Sequence, residues 1–271
     1  MLLNQGDETK SKLILAPPAG GTVIGYMSHA QKLTKIGNVY RLQDPRLSGT
    51  IPRHKSLAFQ ELVQMYTEAI SEIYRPGIDY IGGHSLGGRL GYAISSELSR
   101  QGLSPKGVII LDTVPIHEVA MEELNIEDDA FKVYVLTAII GELLNIDPES
   151  VKGMSLTKAK QYVLIKAQED EMFREVMNES FIENYLNVHA DNILLFNQSQ
   201  LSISEIPVSI TVIKSTEETI DNLDYNTWQA FSSQRCRTIE VPGSHTSMMT
   251  HPHVDTLAKV IHELVMENNK G

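Results

Sequence analysis

Cysteine is almost absent from this chain of 271 residues, which contains Cys236 alone. A single cysteine excludes an intrachain disulfide and a metal site made of several cysteines. A lone thiol is typical of a reducing compartment, and the N-terminal residues lack the basic and apolar regions of a signal peptide, so we expect a cytoplasmic protein. Long hydrophobic runs are missing too, because the longest apolar stretch, residues 133–144, is too short to cross a bilayer.

Basic residues are scarce, with 23 Lys and Arg against 34 Asp and Glu and a net charge of −11. This excess of negative charge argues against nucleic acid and membranes as partners. Residues 115–205 hold 17 acidic and 6 basic side chains, so the whole net charge lies in that segment. Solvated helix faces explain such charge; the alternative is an acidic lid that favours a cationic substrate or nucleophile.

What the chain does contain is an alternation of short apolar runs and longer segments with helical spacing. The predicted strands are residues 12–16, 38–42, 78–82, 107–111, 207–213 and 235–241, and the predicted helices are residues 24–33, 56–74, 86–100 and 254–266. This alternation is typical of an α/β fold, a parallel sheet with helices on both faces. Residues 1–3 are expected to form a hairpin with residues 12–16, which favours a domain taken from a longer chain.

Residues 115–205 interrupt the alternation with several predicted helices and no predicted strand. They follow a strand at the sheet edge where ligands collect in parallel sheets, so we expect a mobile lid over that edge. The apolar residues 133–140 are expected to bury against the mouth of the pocket below. The chain is thus predicted to be one domain, residues 1–271, with a helical lid insertion at about 115–205.

The chemistry centres on a G-x-S-x-G motif, Gly83-His84-Ser85-Leu86-Gly87, between a predicted strand and a predicted helix. A strand before the serine and a helix after it are the context of a nucleophile elbow, which exposes the serine hydroxyl at the head of the helix. The alternative is a glycine-rich turn in which Ser85 merely caps the helix.

Two nucleotide-binding interpretations of the same glycines fail. A phosphate-binding loop that begins at Gly83 needs Lys and then Ser or Thr where Arg89 and Leu90 stand. A G-x-G-x-x-G dinucleotide loop that begins at Gly82 needs glycine in place of His84.

A serine nucleophile needs a base and an orienting acid, because its hydroxyl is unreactive at its ordinary pKa. His245 is the predicted base, since it lies between the last predicted strand and helix, in the order Ser, acid, His of α/β-hydrolases. Asp112 is the predicted acid, because it ends the strand after the elbow helix. The alternative acids follow the next strand and are Glu217, Glu218, Asp221 and Asp224.

The other histidines are given no catalytic role. The His84 side chain is expected to point away from the Ser85 pocket. A metal site of His245, His251 and His253 is disfavoured, because no cysteine and only Asp255 lie nearby. Five further histidines lie in predicted helices or loops with no catalytic context, namely His29, His54, His117, His189 and His262.

Two backbone N–H groups are expected to form an oxyanion hole. One belongs to Leu86, which follows the nucleophile. The other belongs to Ala19, which is the first residue with an N–H after Pro17 and Pro18 in the loop behind the first central strand.

These motifs resemble the thioesterase domains of nonribosomal peptide and polyketide synthetases. The matching pieces are Pro-Pro-Ala-Gly-Gly, Gly-His-Ser-Leu-Gly-Gly, Ile-Ile-Leu-Asp with the helical insertion after it, and Gly-Ser-His before the last helix. The resemblance implies an α/β-hydrolase fold with a helical lid, and neither cofactor nor metal. The position of Asp112 resembles the chain-terminating type fused to a synthetase, whereas stand-alone editing thioesterases carry the acid one strand later.

The resemblance also implies a reaction and a partner. A peptidyl or acyl chain would pass from the phosphopantetheine arm of a carrier protein to Ser85, and leave by hydrolysis, macrocyclisation or oligomerisation. Three alternatives stay open: a stand-alone editing thioesterase, a carboxylesterase or lipase-like hydrolase, and a catalytically inactive α/β-hydrolase that serves as a binding module.

Overall fold

A single sheet forms the centre of the molecule. The structure, a computed structural model, describes residues 2–22, 26, 32–33, 36–53, 55–115, 128–141, 144, 146–171, 173–198, 201, 204–217 and 223–267. The strands in these ranges are β1 (Leu2–Asn4), β2 (Leu13–Ala16), β3 (Val39–Arg41), β4 (Tyr80–His84), β5 (Gly107–Leu111), β6 (Ile210–Glu217) and β7 (Cys236–Ser244). Their spatial order is β1-β3-β2-β4-β5-β6-β7. All neighbouring pairs from β3 to β7 are parallel, and β1 is antiparallel to β3.

The pairing of β1 corrects the sequence prediction. Leu2 lies opposite Tyr40 of β3, so the predicted hairpin with residues 12–16 is wrong. The reason is that β2 lies inside the sheet with β3 on one side and β4 on the other, which leaves it no edge for a third strand. The Gly6 N–H donates to Asn38 Oδ1 at 2.8 Å and holds the chain beside β3.

Helices connect the strands and cover both faces of the sheet. The described helices are α1 (Phe59–Ile70), α2 (Leu86–Arg100), α3 (Asp129–Val135) with a π-helical continuation over Leu136–Ile140, α4 (Pro148–Val151), α5 (Leu156–Glu169), α6 (Glu179–Gln198) and α7 (Val254–Glu267). Two 3₁₀ helices span Tyr225–Phe231 and Ser247–Met249. The helix predicted over residues 24–33 lies almost wholly outside the described residues.

The alternation of side chains along β2 shows how the sheet is buried. Leu13 and Leu15 pack in the same apolar cluster as residues of α7, on one face. Ile14 and Ala16 pack with residues of α1 and α2 on the other face. Because successive side chains of a strand point to opposite faces, a strand that is apolar throughout needs helices on both sides. This architecture confirms the predicted α/β-hydrolase fold.

The segment from residue 115 to residue 205, here called the helical insertion, contains α3 to α6, and its described residues form no strand. Val135, Leu136 and Ile140 are buried in an apolar cluster built from the insertion itself, together with residues of α5 and α6. The expectation that residues 133–140 bury against the pocket mouth is therefore wrong, because the insertion supplies its own core. None of the described helices combines the length and apolarity that crossing a bilayer requires.

Candidate active site

Ser85 occupies the sharp turn between β4 and α2. Its backbone has φ 57° and ψ −126°, a left-handed combination that residues with a side chain seldom adopt. The turn is fixed because the Ser85 N–H donates to the Leu111 carbonyl at 3.0 Å and the Gly88 N–H donates to the Ser85 carbonyl at 2.9 Å. Ser85 therefore stands at the N-terminus of α2, where the helix dipole favours negative charge.

Two glycines make this turn possible. A Cβ on Gly83 would overlap the backbone of Gly87, and a Cβ on Gly87 would overlap the Ala16 carbonyl at the end of β2. The Ser85 side chain is half-buried and makes no hydrogen bond to any described residue. Hydrogen bonds of catalytic groups are often long in the free enzyme and form when substrate binds.

Asp112 follows β5 and is buried, with four hydrogen bonds to its carboxylate. The Ser215 N–H and hydroxyl donate at 2.8 and 3.1 Å, the Tyr225 hydroxyl at 3.0 Å and His245 Nδ1 at 2.8 Å. Burial disfavours the charged carboxylate, but the hydrogen bond and charge of His245 and the Ser215 N–H outweigh it and lower the pKa of Asp112 to about 2. Asp112 is thus ionised at neutral pH and fixed in orientation.

His245 lies in the loop after β7, where its side chain is 39% exposed. Because Asp112 accepts a hydrogen bond from Nδ1, the proton of the neutral imidazole sits on Nδ1 and Nε2 can accept another. The Ser244 N–H donates to Ser247 Oγ at 2.8 Å and shapes this loop. The arrangement suits a general base whose tautomer is set by a carboxylate.

His84 contacts the same loop, which the sequence did not predict. Its Nε2 donates to the His245 carbonyl at 2.7 Å, and the two ring centroids lie 4.5 Å apart. Burial, with the nearby charge of His245, lowers the pKa of His84 to about 3, so the ring is neutral at physiological pH. The His84 N–H donates to the Tyr26 hydroxyl, which donates to the Ala16 carbonyl. These contacts tie together the ends of β2 and β4 and the loop after β7.

The two N–H groups predicted for the oxyanion hole belong to neighbouring segments. Leu86 is the first residue of α2, and Ala19 lies in the turn after β2. A Cβ on Gly87 would lie 2.9 Å from the Pro17 carbonyl oxygen, so this turn passes directly beside the start of α2. Neither the Ala19 N–H nor the Leu86 N–H has an acceptor among the described residues. Both are available to a developing oxyanion.

The alternative acids do not contact His245 in the described part of the chain. Glu217 lies exposed at the end of β6. Asp224 caps the 3₁₀ helix that follows it, and its carboxylate accepts from the backbone N–H two residues on at 2.9 Å. Glu218 and Asp221 lie outside the described residues.

The remaining histidines that the structure describes form no second centre. Within the described ranges no three His, Cys, Asp or Glu side chains come close enough to hold a metal ion. The His251 ring lies 3.6 Å from an Asp255 carboxylate oxygen on the surface. His189 is buried in the insertion, and His262 is on α7. His29, His54 and His117 lie outside the described residues.

Ser215 and Tyr225 orient Asp112, and sequence analysis missed both. They are 103 and 113 residues away from Asp112 along the chain. No local signal pointed to either residue, because Ser215 lies between other polar residues of β6, Lys214 and Thr216, and Tyr225 lies in a short 3₁₀ helix.

Comparisons with known proteins identify the family. A family model described as thioesterase domain matches residues 11–265. The chain belongs to the thioesterase domain family. Chondramide synthase cmdD of Chondromyces crocatus is 25% identical to this thioesterase over 256 residues, which cover 88% of this chain and 6% of the synthase. Bacitracin synthase 3 of Bacillus licheniformis is 23% identical over 273 residues, which cover 100% of this chain and 4% of the synthase. This thioesterase therefore spans only a small part of each relative.

Solved structures show the same likeness. The wild-type Vlm2 thioesterase domain is 26% identical to this thioesterase, with a TM-score of 0.82 over 96% of this chain and 95% of that one. The Vlm2 domain bound with a tetradepsipeptide is also 26% identical, with a TM-score of 0.77 and the same coverage. The chain is thus similar in sequence to a part of each of these synthases and in structure to a solved thioesterase domain.

Proposed function

We propose that this thioesterase acts through Ser85 as nucleophile, His245 as base and Asp112 as orienting acid. The hydrogen bond between Asp112 Oδ2 and His245 Nδ1, 2.8 Å long, is the observation that carries the proposal, because it joins a buried, ionised carboxylate to the histidine directly after the last strand. The positive φ of Ser85 supports it, since such strain persists where function requires it.

In the first half of the proposed reaction, Ser85 Oγ attacks the thioester carbonyl while His245 Nε2 takes the hydroxyl proton. The carbonyl oxygen becomes an oxyanion, which accepts hydrogen bonds from the Ala19 and Leu86 N–H groups. The carbon–sulfur bond then breaks, and His245 gives its proton to the departing thiolate. Asp112 stays ionised throughout and stabilises the imidazolium.

The second half regenerates Ser85. A water molecule, or a hydroxyl or amine of the bound chain, attacks the acyl-enzyme carbonyl and gives its proton to His245. The oxyanion then collapses, and Ser85 Oγ leaves and takes the proton from His245. Attack by water gives a free acid, and attack by a hydroxyl or amine of the same chain gives a ring. Attack by a hydroxyl or amine of a second chain gives an oligomer. This chemistry requires neither a cofactor nor a metal.

The proposed substrate is a peptidyl or acyl chain on the phosphopantetheine arm of a synthetase carrier protein. The relatives named above are synthetases, and a Vlm2 domain carries a bound depsipeptide. The helical insertion would serve as the lid over the bound chain. A roofed pocket excludes water and favours capture by an internal nucleophile.

The test compares substrates and products. Acyl- and peptidyl-pantetheine thioesters should be consumed much faster than aryl esters of the same acids, and mass spectrometry should identify free acid, ring or oligomer. Faster turnover of the aryl esters would favour a carboxylesterase instead.

Ser85→Ala should lower turnover by several orders of magnitude and leave the melting temperature unchanged. A serine-directed fluorophosphonate should label the wild type on Ser85. The matched control is Ser71→Ala, an exposed serine outside the site, which should keep both labelling and turnover. Turnover of Ser85→Ala within about tenfold of the wild type, or about 1.4 kcal/mol of barrier, would contradict the proposal.

A further inference from the structure

The turn that carries Ala19 is held on both sides of the Ala19 Cα. The Gly21 N–H donates to the Pro18 carbonyl at 2.8 Å, which fixes the peptide unit that contains the Ala19 N–H. Asn192 Nδ2 donates to the Ala19 carbonyl at 2.9 Å, which fixes the next peptide unit. These two bonds fix the peptide planes on either side of the Ala19 Cα. The direction of the Ala19 N–H therefore depends in part on Asn192.

Asn192 belongs to α6 of the helical insertion and is itself held by two charged residues. Arg46 Nη2 donates to Asn192 Oδ1 at 2.7 Å, and Asn192 Nδ2 also lies 3.2 Å from Asp44 Oδ2. Arg46 pairs with Asp44 through Nη2 at 2.8 Å and Nε at 2.9 Å. Arg46 and Asp44 have no exposed surface and Asn192 is 2% exposed.

These two charges decide which way the Asn192 amide faces. A guanidinium has only donors, so the Asn192 oxygen must face Arg46. An ionised carboxylate has only acceptors, so the Asn192 NH₂ must face Asp44 and, beside it, the Ala19 carbonyl. If the amide were turned over, its NH₂ would face the Arg46 donors and its oxygen would face the Asp44 carboxylate. Polar groups without a matching partner are costly in a buried site. The cluster is therefore built to present a donor to Ala19.

The same side of α6 packs along the whole turn. A Cβ on Gly20 would meet the Tyr185 hydroxyl at 2.6 Å, and one on Gly21 would meet Val188 Cγ1 at 2.9 Å. Tyr185, Val188 and Asn192 are three and then four residues apart, which places them on one helix face. The Asp44 N–H completes the packing and donates to the Gly21 carbonyl at 2.8 Å.

We propose that Asn192 is a positioning residue for the oxyanion hole, which makes α6 part of the catalytic frame. This inference rests on the proposed function, since it assigns Ala19 the oxyanion. Without the Asn192 bond the Ala19 N–H would be less well aimed at the tetrahedral intermediate. Binding of the acyl chain in the ground state does not depend on the direction of the Ala19 N–H. Loss of the Asn192 bond should therefore weaken binding of the transition state and leave binding of the substrate nearly unchanged.

The test uses two inhibitors with the same acyl chain. A boronic acid forms a tetrahedral, anionic adduct on Ser85 that needs the oxyanion hole, whereas the corresponding amide binds without negative charge. In Asn192→Ala, kcat/KM for a thioester and the affinity for the boronic acid should both fall roughly 10- to 100-fold. Affinity for the amide and KM should change less than about threefold, as expected when only transition-state binding is lost.

A second variant protects the test against misfolding. Asn192→Leu fills a similar volume, leaves Arg46 its two carboxylate partners and has no donor for the Ala19 carbonyl, so it should show the same split. Asn187→Ala is the matched control, because it removes an exposed asparagine amide from the same helix. The control should bind both inhibitors as the wild type does.

Two results would overturn the inference. One is an equal loss of boronic acid and amide affinity in both Asn192 variants, which would show a general disturbance of the pocket. The other is unchanged boronic acid affinity in a folded variant. A wild-type protein that neither cleaves the thioester nor binds the boronic acid would contradict the proposed function itself, and the inference with it.

Discussion

The sheet and the helical insertion are stabilised in different ways around the proposed site. Residues such as Leu13 and Ile14 of β2 are completely buried between helices, so the sheet is fixed by apolar packing on two faces. The insertion has an apolar cluster of its own, and buried charged groups add to its attachment near the site. An element fixed by polar groups has a more definite orientation than one fixed by apolar contact alone, because hydrogen bonds are directional.

Arg89 of α2 shows how the insertion is attached. Its Nε donates to the Val114 carbonyl at 3.0 Å, just before the insertion begins, and its Nη1 donates to the Phe196 carbonyl at 2.8 Å, near the end of α6. The guanidinium carbon also lies 3.9 Å from the centre of the Phe196 ring. One arginine of the elbow helix thus joins both ends of the insertion.

The helical insertion has two parts that are held in different ways. Arg46 and Arg89 hold the second half of α6 against the sheet domain by hydrogen bonds. Helices α3 to α5 pack mainly in the apolar cluster of the insertion itself. A lid that moves would therefore move through α3 to α5, with the second half of α6 as the fixed base.

The largest effect is expected on the sheet side, from Asp112→Asn. The amide would donate to His245 Nδ1 and force the wrong tautomer, so kcat should fall roughly 10⁴-fold. Steady-state kinetics on a pantetheine thioester measure this loss. The matched changes Glu217→Gln and Asp224→Asn should each stay within about threefold of the wild type, as expected for groups outside the transition state. A severe loss in one of them with a mild loss in Asp112→Asn would move the acid one strand later.

Next in size is the loss of the attachment, in Arg89→Leu. A buried carbonyl and a partly buried one would lose their donor, which costs about 2–4 kcal/mol of unfolding free energy. Urea unfolding of Arg89→Leu measures the cost, with Arg100→Leu on the same helix as control. Arg100 is largely exposed, so that change should cost less than about 0.5 kcal/mol. Equal stability of the two variants would show that Arg89 does not hold the insertion.

A smaller effect concerns the pH dependence of stability, because the described part of each region contains a buried histidine. Burial lowers the pKa of His189 in the insertion to about 4 and, with the charge of His245, that of His84 on β4 to about 3. An ordinary histidine titrates near 6.5, so the unfolded chain takes up protons first as the pH falls. Stability is therefore complete above about pH 6.5 and is lost progressively towards pH 4 and pH 3 respectively.

The variant that tests this pH dependence is His189→Leu, which should flatten the fall of the melting temperature between pH 6.5 and pH 4. His251→Ala alters an exposed histidine and should leave the slope as in the wild type. An unchanged slope in His189→Leu would contradict the assignment of this pH dependence to the insertion.

The smallest expected effect is a difference in mobility. Amide hydrogen exchange should be faster in α5 than in β5, because lids come from the least stable parts of a structure. The second half of α6 should exchange nearly as slowly as β5. A non-hydrolysable acyl chain on Ser85 should slow exchange in α5. Equal protection in α5 and β5, unchanged by acylation, would indicate a rigid subdomain.

The sequence predicted the elements of the sheet well, because their signals are local. Helix α2 begins and ends where predicted, since the elbow glycines and the turn after Arg100 bound it. The pairing of β1 could not be predicted, because it depends on which edge of the sheet is vacant. The core of the insertion was also missed, since the periodicity of residues 133–140 shows that they are buried but not against what.

For the candidate site, the sequence indicated residue types but not the groups that orient them. Ser85, Asp112 and His245 lie in recognisable motifs at strand ends. Asn192 is 173 residues from Ala19 and sits in a helix of ordinary composition, so no local pattern connects the two. Contacts of this kind arise only from tertiary packing.

The most direct test of the account is the mass of the intact protein shortly after it is mixed with an acyl-pantetheine thioester. We predict a gain equal to one acyl group, located by peptide mapping on Ser85, and no gain in Ser85→Ala. An acyl group on another residue, or undiminished thioester turnover by Ser85→Ala, would contradict the account.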